Sequence, residues 1–357
     1  MKENTNGPAP EIQAGQTIQN PLDHLRSDYS RAAARTKKGR KRTAEPFTDL
    51  GNARRLVACY GQNLRYCRAW GKWLVWQGNR WIIDDTGIVE LMAKQTARAM
   101  YNSIADIGDT GDREKFARHA IKSEYASRIG AMVSLATTEV GIPVRPEDLD
   151  KDRFLLNCRN GTVDLRTGKL FPARREDLIT RLAPVDYNPE AECPEFDKFI
   201  TRIMGEDQAL VEYIERCLGY ALTGDASEHV MFVLFGSGAN GKTTLLEAVR
   251  HVLGDYAGQL PIKTLMVKRW ESIPNDIAQL KGLRFVTSSE VEAGERLAEA
   301  QTKQLTGGGT LMGRKLYHEY FEFEPTHKIF MDCNHKPTIQ GTDEGIRCVS
   351  TRMRHPA

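Results

Sequence analysis

Apolar and polar positions follow two different periods along this chain, and the mixture predicts an α/β protein. Apolar side chains recur at helical spacing in the segments 50–57, 88–104, 113–137 and 194–224. Short apolar or alternating runs bounded by turn residues predict strands at 154–165, 168–171, 230–235, 283–289 and 327–334. Two aromatic runs flank a Gly-Asn turn and predict a β-hairpin, in which Trp73 and Trp81 either stack on nucleic-acid bases or fill a core.

The strand-like run 230–235 stops at a glycine-rich turn, and a helical segment follows it. The turn consists of Gly236, Ser237, Gly238, Ala239, Asn240, Gly241, Lys242, Thr243 and Thr244. A strand, a GxxxxGK[ST] loop and a helix in this order are typical of a phosphate-binding loop. We expect Lys242 to reach the β- and γ-phosphates of ATP and the Thr243 hydroxyl to hold Mg²⁺. The alternative is an incidental glycine-rich turn.

Two later strands end in polar side chains. Glu290 follows the run 283–289, and Asn334 ends the run that begins at residue 327. We expect Glu290 to face the loop from the neighbouring strand end, where it holds the metal or orients the attacking water, with Glu292 on the same side. A solvated acidic turn is the alternative. Asn334 either points at the γ-phosphate or forms an ordinary turn.

The segment between these strands alternates like a hairpin with a basic tip at Arg314, Lys315 and His318. Such a tip suits a DNA backbone, and an ordinary charged hairpin is the alternative.

Composition narrows the class of protein. The 357 residues are 40% hydrophobic and 27% charged with a net charge of +3, so any nucleic-acid surface must be local. The 7 cysteines show no CxxC spacing, which disfavours a zinc site or a disulfide framework. We find no apolar run long enough for a membrane span and no signal core, so we expect no membrane partner and a reducing cytosol.

Composition shifts and proline breaks predict three regions. Residues 1–45 form a polar, basic tail or linker that is either disordered or in contact with a phosphate backbone. Residues 46–190 form a smaller α+β domain without a recognisable catalytic constellation. Proline breaks near residues 188–194 precede the nucleotide-binding region 191–357.

Several ordered motifs resemble superfamily 3 helicases, and in particular the phage and plasmid primase–helicase group, which is similar to the poxvirus primase–helicase. The motifs are 236–244, 289–292, 303–308, 321–328 and 334–337, and the stretches 51–53 and 73–76 resemble the group's N-terminal extension.

The resemblance implies an AAA+-like P-loop NTPase core, a parallel sheet with helices on both faces. It also implies a hexameric homo-oligomer ring that hydrolyses ATP at subunit interfaces and translocates on single-stranded DNA, with a replication initiation or primase partner. Within that frame Lys242 and Thr243 form the first motif, Glu290 the second, Asn334 the sensor and Arg347 the arginine finger. Arg314, Lys315 and His318 fall on the DNA-contacting hairpin. The location implied is the cytoplasm of a bacterial host that carries the phage or plasmid.

The segment 347–357 departs from the family pattern, which continues there with a tryptophan, two arginines and an apolar strand. We therefore expect a truncated C-terminus. A remnant that binds nucleotide or DNA without turnover is the alternative to an active helicase. Nothing before Pro46 is long enough for a primase domain, so we do not expect primer synthesis. A small-molecule kinase is a third possibility, disfavoured because we see no arginine-rich lid.

Overall fold

The computed structural model describes residues 45–236, 240–267, 275–289, 296–314, 320–334 and 337–338, together with the backbone of 350–354. The basic tail up to residue 44 lies outside these ranges.

The described part of the chain contains helices and strands in a mixed order. The helices are α1 (Asp49–Tyr60), α2 (Ile88–Ile104), α3 (Thr110–Ser123), α4 (Ala126–Ala136), α5 (Pro194–Ile203), α6 (Gln208–Leu222), α7 (Lys242–Leu253), α8 (Asn275–Ala278) and α9 (Glu299–Thr306). The strands are β1 (Leu64–Cys67), β2 (Lys72–Trp76), β3 (Trp81–Ile83), β4 (Pro143–Val144), β5 (Leu155–Cys158), β6 (Gly161–Asp164), β7 (Lys169–Phe171), β8 (Met231–Phe235), β9 (Ala257–Gln259), β10 (Phe285–Ser289), β11 (Leu311–Arg314), β12 (Tyr320–Phe323), β13 (Lys328–Cys333) and β14 (Ser350–Arg354).

Most predicted elements are confirmed, and the α/β class with them. The predicted helical segments 113–137 and 194–224 are each wrong as one element, because α3 and α4 are separate helices, and so are α5 and α6. The break between α3 and α4 falls at Glu124 and Tyr125, and Tyr125 is extended with φ −65° and ψ 141°. Neither residue is glycine or proline, so no helix-breaking residue marks this break in the sequence. Strand β14 was also not expected, since its sequence lacks an apolar run.

The chain divides into two compact units along lines that differ from the predicted limits. One unit comprises Met1–Gly61 with Glu90–Glu139, and the other comprises Gln62–Val89 with Val140–Ala357. The predicted domain limits of 46–190 and 191–357 stay a prediction.

Helices α1, α3 and α4, with most of α2, build the first unit. Helix α1 begins after Thr48, whose Oγ1 accepts a hydrogen bond from the Gly51 backbone N–H at 3.1 Å. Gly51 is required here because a Cβ would lie 2.0 Å from the Pro46 carbonyl oxygen. Met100, Phe116 and Ala120 form part of the core, so α2 and α3 bury their apolar stripes against each other.

The hairpin predicted around the Gly-Asn turn is confirmed in the second unit. Strands β2 and β3 pair antiparallel with Trp76 opposite Trp81. The Trp81 side chain is fully buried, and its Nε1–H donates to the Arg175 carbonyl oxygen at 2.9 Å. Burial decides the alternative for Trp81 in favour of core packing, while the half-buried Trp73 packs on Tyr66 with ring centroids 5.1 Å apart.

A five-stranded parallel sheet in the second unit positions the glycine-rich loop. Its strand order is β14-β8-β13-β10-β9, with all neighbouring pairs parallel. The expectation that the strand before Glu290 lies next to the loop strand is wrong, because β13 separates β10 from β8. The register sets Asp332 of β13 opposite Leu234 of β8, and Ser289 of β10 opposite Asp332.

Alternate residues of the central strands enter two different cores. Phe232 and Leu234 pack with residues of α5, α6 and α7, whereas Met231 and Val233 pack on the other face with residues of α9 and β11. Side chains of period 2 point to opposite faces of a sheet, so a strand that is buried on both faces reads as a continuous apolar run. This is why 230–235 showed no alternation.

Two buried cations lie at the start of β10 and β13. The Arg284 guanidinium donates to the Leu155 and Leu222 carbonyl oxygens at 2.7 Å each, and its carbon lies 4.5 Å from the Tyr256 ring centroid. The Lys328 ammonium donates to the Asp225 carbonyl oxygen at 3.0 Å and to that of Thr223. Burial, together with the Arg284 charge, lowers the pKa of Lys328 to about 7.

Candidate nucleotide-binding site

The glycine-rich turn leaves β8 and enters α7 through Gly241. Gly241 has φ +83°, and an added Cβ would lie 2.7 Å from the Ile203 Cγ2 atom, so both conformation and space require glycine. Having no side chain, it leaves the first N–H groups of α7 without a side-chain cap. Such N–H groups and the helix dipole favour an anion at this position.

The Lys242 side chain is buried at the first position of α7 and donates into the loop. Its Nζ lies 2.9 Å from the Gly236 carbonyl oxygen, 2.8 Å from Asn240 Oδ1 and 3.3 Å from Asn334 Oδ1. Only 6% of the residue is exposed. The structure therefore brings together two predicted site residues, Lys242 and Asn334, that lie 92 positions apart in the sequence.

Thr243 donates its hydroxyl hydrogen to Asp332 Oδ2 at 2.6 Å. The second carboxylate oxygen of Asp332 lies 3.8 Å from Lys242 Nζ. Asp332 is 7% exposed, so the carboxylate is held in place by a hydroxyl and an ammonium on the neighbouring element. Hydroxyl and carboxylate oxygens are ligands of the kind that Mg²⁺ prefers.

Asp332 is the site residue that sequence reasoning missed. It lies inside the apolar strand β13, and Asn334, which follows the strand, was singled out from the sequence as the polar site residue. The available signal was a carboxylate inside an apolar, strand-like run, since a charge that such a strand buries needs a partner. The identity of that partner depends on strand order, which the sequence does not show.

Several predicted site residues lie outside the described residues. They are Ser237, Gly238, Ala239, Glu290, Glu292, Lys315, His318 and Arg347. Thr244 is exposed on the first turn of α7. Arg314 is described, and its guanidinium carbon lies 5.0 Å from the centroid of the Tyr320 ring on the paired strand β12.

Within the described ranges, no group of three or more His, Cys, Asp or Glu side chains could hold a metal ion. This is compatible with Mg²⁺, which is usually held by one or two carboxylates together with substrate phosphates. Among the same residues, no helix is long and apolar enough to cross a membrane.

Comparison with known proteins shows what this chain is similar to. Residues 53–205 match the family model described as D5 N terminal like. A putative helicase, L207/L206 of Acanthamoeba polyphaga mimivirus, is 34% identical over 206 residues, covering 56% of this chain and 21% of that protein. The putative primase C962R of African swine fever virus is 29% identical over 218 residues, covering 58% and 22%. The family model and these relatives support a primase–helicase-like family.

The matches to known proteins are partial. The putative helicase 022R of Frog virus 3 is 22% identical over 329 residues, covering 73% of this chain and 32% of that protein. The chain thus spans about a fifth of the length of the first two curated relatives. Among solved structures, the C-terminal region of NrS-1 matches 82% of this chain and 58% of its own, with 11% identity and a TM-score of 0.48.

Proposed function

We propose that this primase–helicase-like chain is an ATP-dependent DNA helicase of phage or plasmid replication. It would hydrolyse ATP at the interfaces between subunits of a ring, hexameric in the superfamily 3 group that the sequence resembles, and translocate on single-stranded DNA. The observation that carries the proposal is the buried Lys242 ammonium at the start of α7, beside the hydrogen bond between Thr243 and Asp332.

Sheet topology supports an AAA+-like P-loop NTPase core. From β8 the chain passes to β9 at one edge of the sheet, and after β13 it crosses to β14 on the other side of β8. The carboxyl end of β8 therefore lies at a topological switch point, where open α/β sheets bind their ligands. Lys242, Thr243 and Asp332 all lie at that end.

The residues present suit ATP and its metal. An ammonium has three donor hydrogens, and Lys242 directs them at oxygens of Gly236, Asn240 and Asn334, which phosphate oxygens would replace in part. Thr243 gives its hydrogen to Asp332, so the hydroxyl lone pairs stay available to Mg²⁺. Bound Mg²⁺ would neutralise charge on the phosphates. In this proposal Glu290 orients the water, and Arg347 acts on a neighbouring subunit.

A phosphate-release assay with and without single-stranded DNA tests this function. We expect DNA-stimulated release that disappears in Lys242→Ala and persists in the control Lys263→Ala, because Lys263 is exposed and outside the loop. ATP binding without release above background would favour the remnant that binds without turnover. A strict monomer by light scattering with nucleotide would contradict hydrolysis at subunit interfaces.

The name of the African swine fever virus relative favours a second candidate, a part in primer synthesis. Incorporation of labelled ribonucleotides on a single-stranded template, unaffected by Lys242→Ala, would support that function instead.

A further inference from the structure

The helical unit carries a second candidate site that does not involve the glycine-rich loop. A cleft of about 390 Å³ opens between the start of α1 and the helices α3 and α4. Its lining is strongly basic, with Lys115, Arg118, Lys122 and Arg128 around Phe47 and His119. Among the described residues no carboxylate lines this cleft, although the whole chain is nearly balanced in charge. A local patch of this kind attracts polyanions.

The floor of the cleft is a buried polar network that fixes its shape. Asn52 is fully buried, and its Nδ2 donates to Ser123 Oγ at 2.9 Å. The Asn52 Oδ1 atom lies 2.9 Å from His119 Nε2, and Ser123 donates to the His119 carbonyl oxygen at 2.8 Å. Burial, and then the Arg55 charge, lowers the pKa of His119. The network joins α1 to α3, so it fixes the positions of the helices that carry the basic side chains.

The rim cations follow the length of one helix face. Lys115, Arg118 and Lys122 are spaced at i, i+3 and i+7 on α3, so they share a face and extend along about 10 Å of it. A nucleic-acid strand carries one phosphate per about 3.4 Å in duplex geometry, so this row matches two to three consecutive phosphates. A single phosphate group would contact only part of it.

The charges along α3 are weakly compensated within the protein, whereas Arg128 of the same lining pairs with Asp49 Oδ2 at 2.5 Å. Lys115 pairs with Asp112 at 3.3 Å and Arg118 with Glu114 at 3.7 Å, but all four side chains are more than 60% exposed. Exposed pairs of this kind exchange readily for other anions. Lys122 has no carboxylate partner among the described residues.

An aromatic ring lies beside this row. Phe47 stacks on the His119 ring with centroids 5.5 Å apart, and 43% of the residue remains exposed. Exposed aromatic rings next to cations are the combination by which single strands are held, since unstacked bases stack on the ring while phosphates meet the charges.

We propose that this cleft binds the phosphate backbone of single-stranded DNA, with a base against Phe47. The inference rests on the proposed function for the choice of DNA as the polyanion, but it does not require nucleotide at Lys242. The cleft would hold the strand independently of the motor site.

The test measures binding of fluorescein-labelled oligothymidylate to the full chain by anisotropy, without ATP, over a range of salt concentrations. The variant is Arg118→Gln/Lys122→Gln, and the matched control is Lys94→Gln/Arg98→Gln. The control removes one lysine and one arginine from exposed positions of α2, where Arg98 also has a weak exposed partner, Glu124 at 3.9 Å. Equal melting temperatures of all three proteins establish that they are folded.

Loss of two phosphate contacts lowers the slope of log K against log salt by about 1.4, which amounts to about 25-fold weaker binding at 0.1 M salt relative to a 1 M reference. We expect this change in the variant and none in the control. In the unsubstituted chain, bound oligothymidylate should protect the Lys122 amine from acylation, measured by mass spectrometry.

Three results would overturn the proposal. The first is an unchanged slope in the variant with no protection of Lys122. The second is an equal loss in variant and control, which indicates general charge attraction. The third is dTTP binding in a Lys242→Ala background that the variant weakens while oligothymidylate binding stays the same, which indicates a free-nucleotide pocket. If oligothymidylate binds through the cleft but Lys242→Ala leaves phosphate release unchanged, this inference stands and the proposed function fails.

Discussion

Replacing the missed carboxylate, Asp332→Asn, gives the most informative single test of the nucleotide site. The side chain keeps its shape and an acceptor for Thr243, but it loses the charge that faces Lys242 at 3.8 Å. With an effective permittivity of about 20, unit charges at that distance attract by about 4 kcal/mol before desolvation is counted. Because Lys242 retains three other oxygen partners, we expect folding stability to fall by only about 2 kcal/mol.

The effect on ATP binding should depend on the metal. Without Mg²⁺ the Asp332 carboxylate repels the phosphates, so Asp332→Asn should bind ATP at least as well as the unsubstituted chain. With Mg²⁺ the variant loses a charged ligand worth about 2 kcal/mol, so its affinity should fall by about 30-fold. The ratio of the two dissociation constants therefore shrinks in the variant.

Titration of a fluorescent ATP analogue in Mg²⁺ and in EDTA measures this ratio, and urea denaturation measures stability. Asp106→Asn is the matched control, because Asp106 is an exposed aspartate in the other compact unit. An Asp332→Asn protein with the same Mg²⁺ dependence as the control would show that this carboxylate has no part in metal binding, and the reasoning from Thr243 would be wrong.

Three other perturbations follow from the described residues. Gly241→Ala should cost at least about 1 kcal/mol by urea denaturation and weaken ATP binding, because a Cβ meets Ile203 at 2.7 Å in a left-handed conformation. The pKa of Lys328 is about 7 in the folded chain against an ordinary 10.5, so between these pH values the unfolded chain binds the proton more tightly and the folding stability should rise with pH. Lys328→Met should flatten this rise, which denaturation at several pH values would measure. Burial, with the Lys328 charge, lowers the pKa of His327 from 6.5 to about 4. The contribution of this neutral side chain to folding stability is therefore complete above pH 6.5 and is lost as the pH falls to 4. His327→Phe should reduce that loss, measured by acid denaturation.

Much of the nucleotide site was predictable because its chemistry is local. Gly241, Lys242 and Thr243 are adjacent, and the helix that follows them needs only the apolar spacing of 245–253 to be recognised. The hairpin at 72–83 was equally visible, since a two-residue turn fixes the pairing of the strands beside it.

The helical unit was not predictable as a body of its own. Its pieces, Met1–Gly61 and Glu90–Glu139, are separated in the sequence by the aromatic hairpin. Periodicity identifies each helix, but which helices pack together depends on tertiary contacts. The row of cations on α3 lines a cleft only because the start of α1 lies beside it, and this contact depends on tertiary structure.

The sequence by itself determined the local elements of this protein: the helices and most strands, the glycine-rich turn, and the lysine and threonine that follow it. Only the tertiary structure decided that β13 lies next to β8 and β10 does not, and therefore that Asp332 meets Thr243 across 89 positions. The physical reason is that turns and periods are encoded by neighbouring residues, whereas strand order is a property of the whole sheet, in which each strand's place depends on how the others bury their two faces.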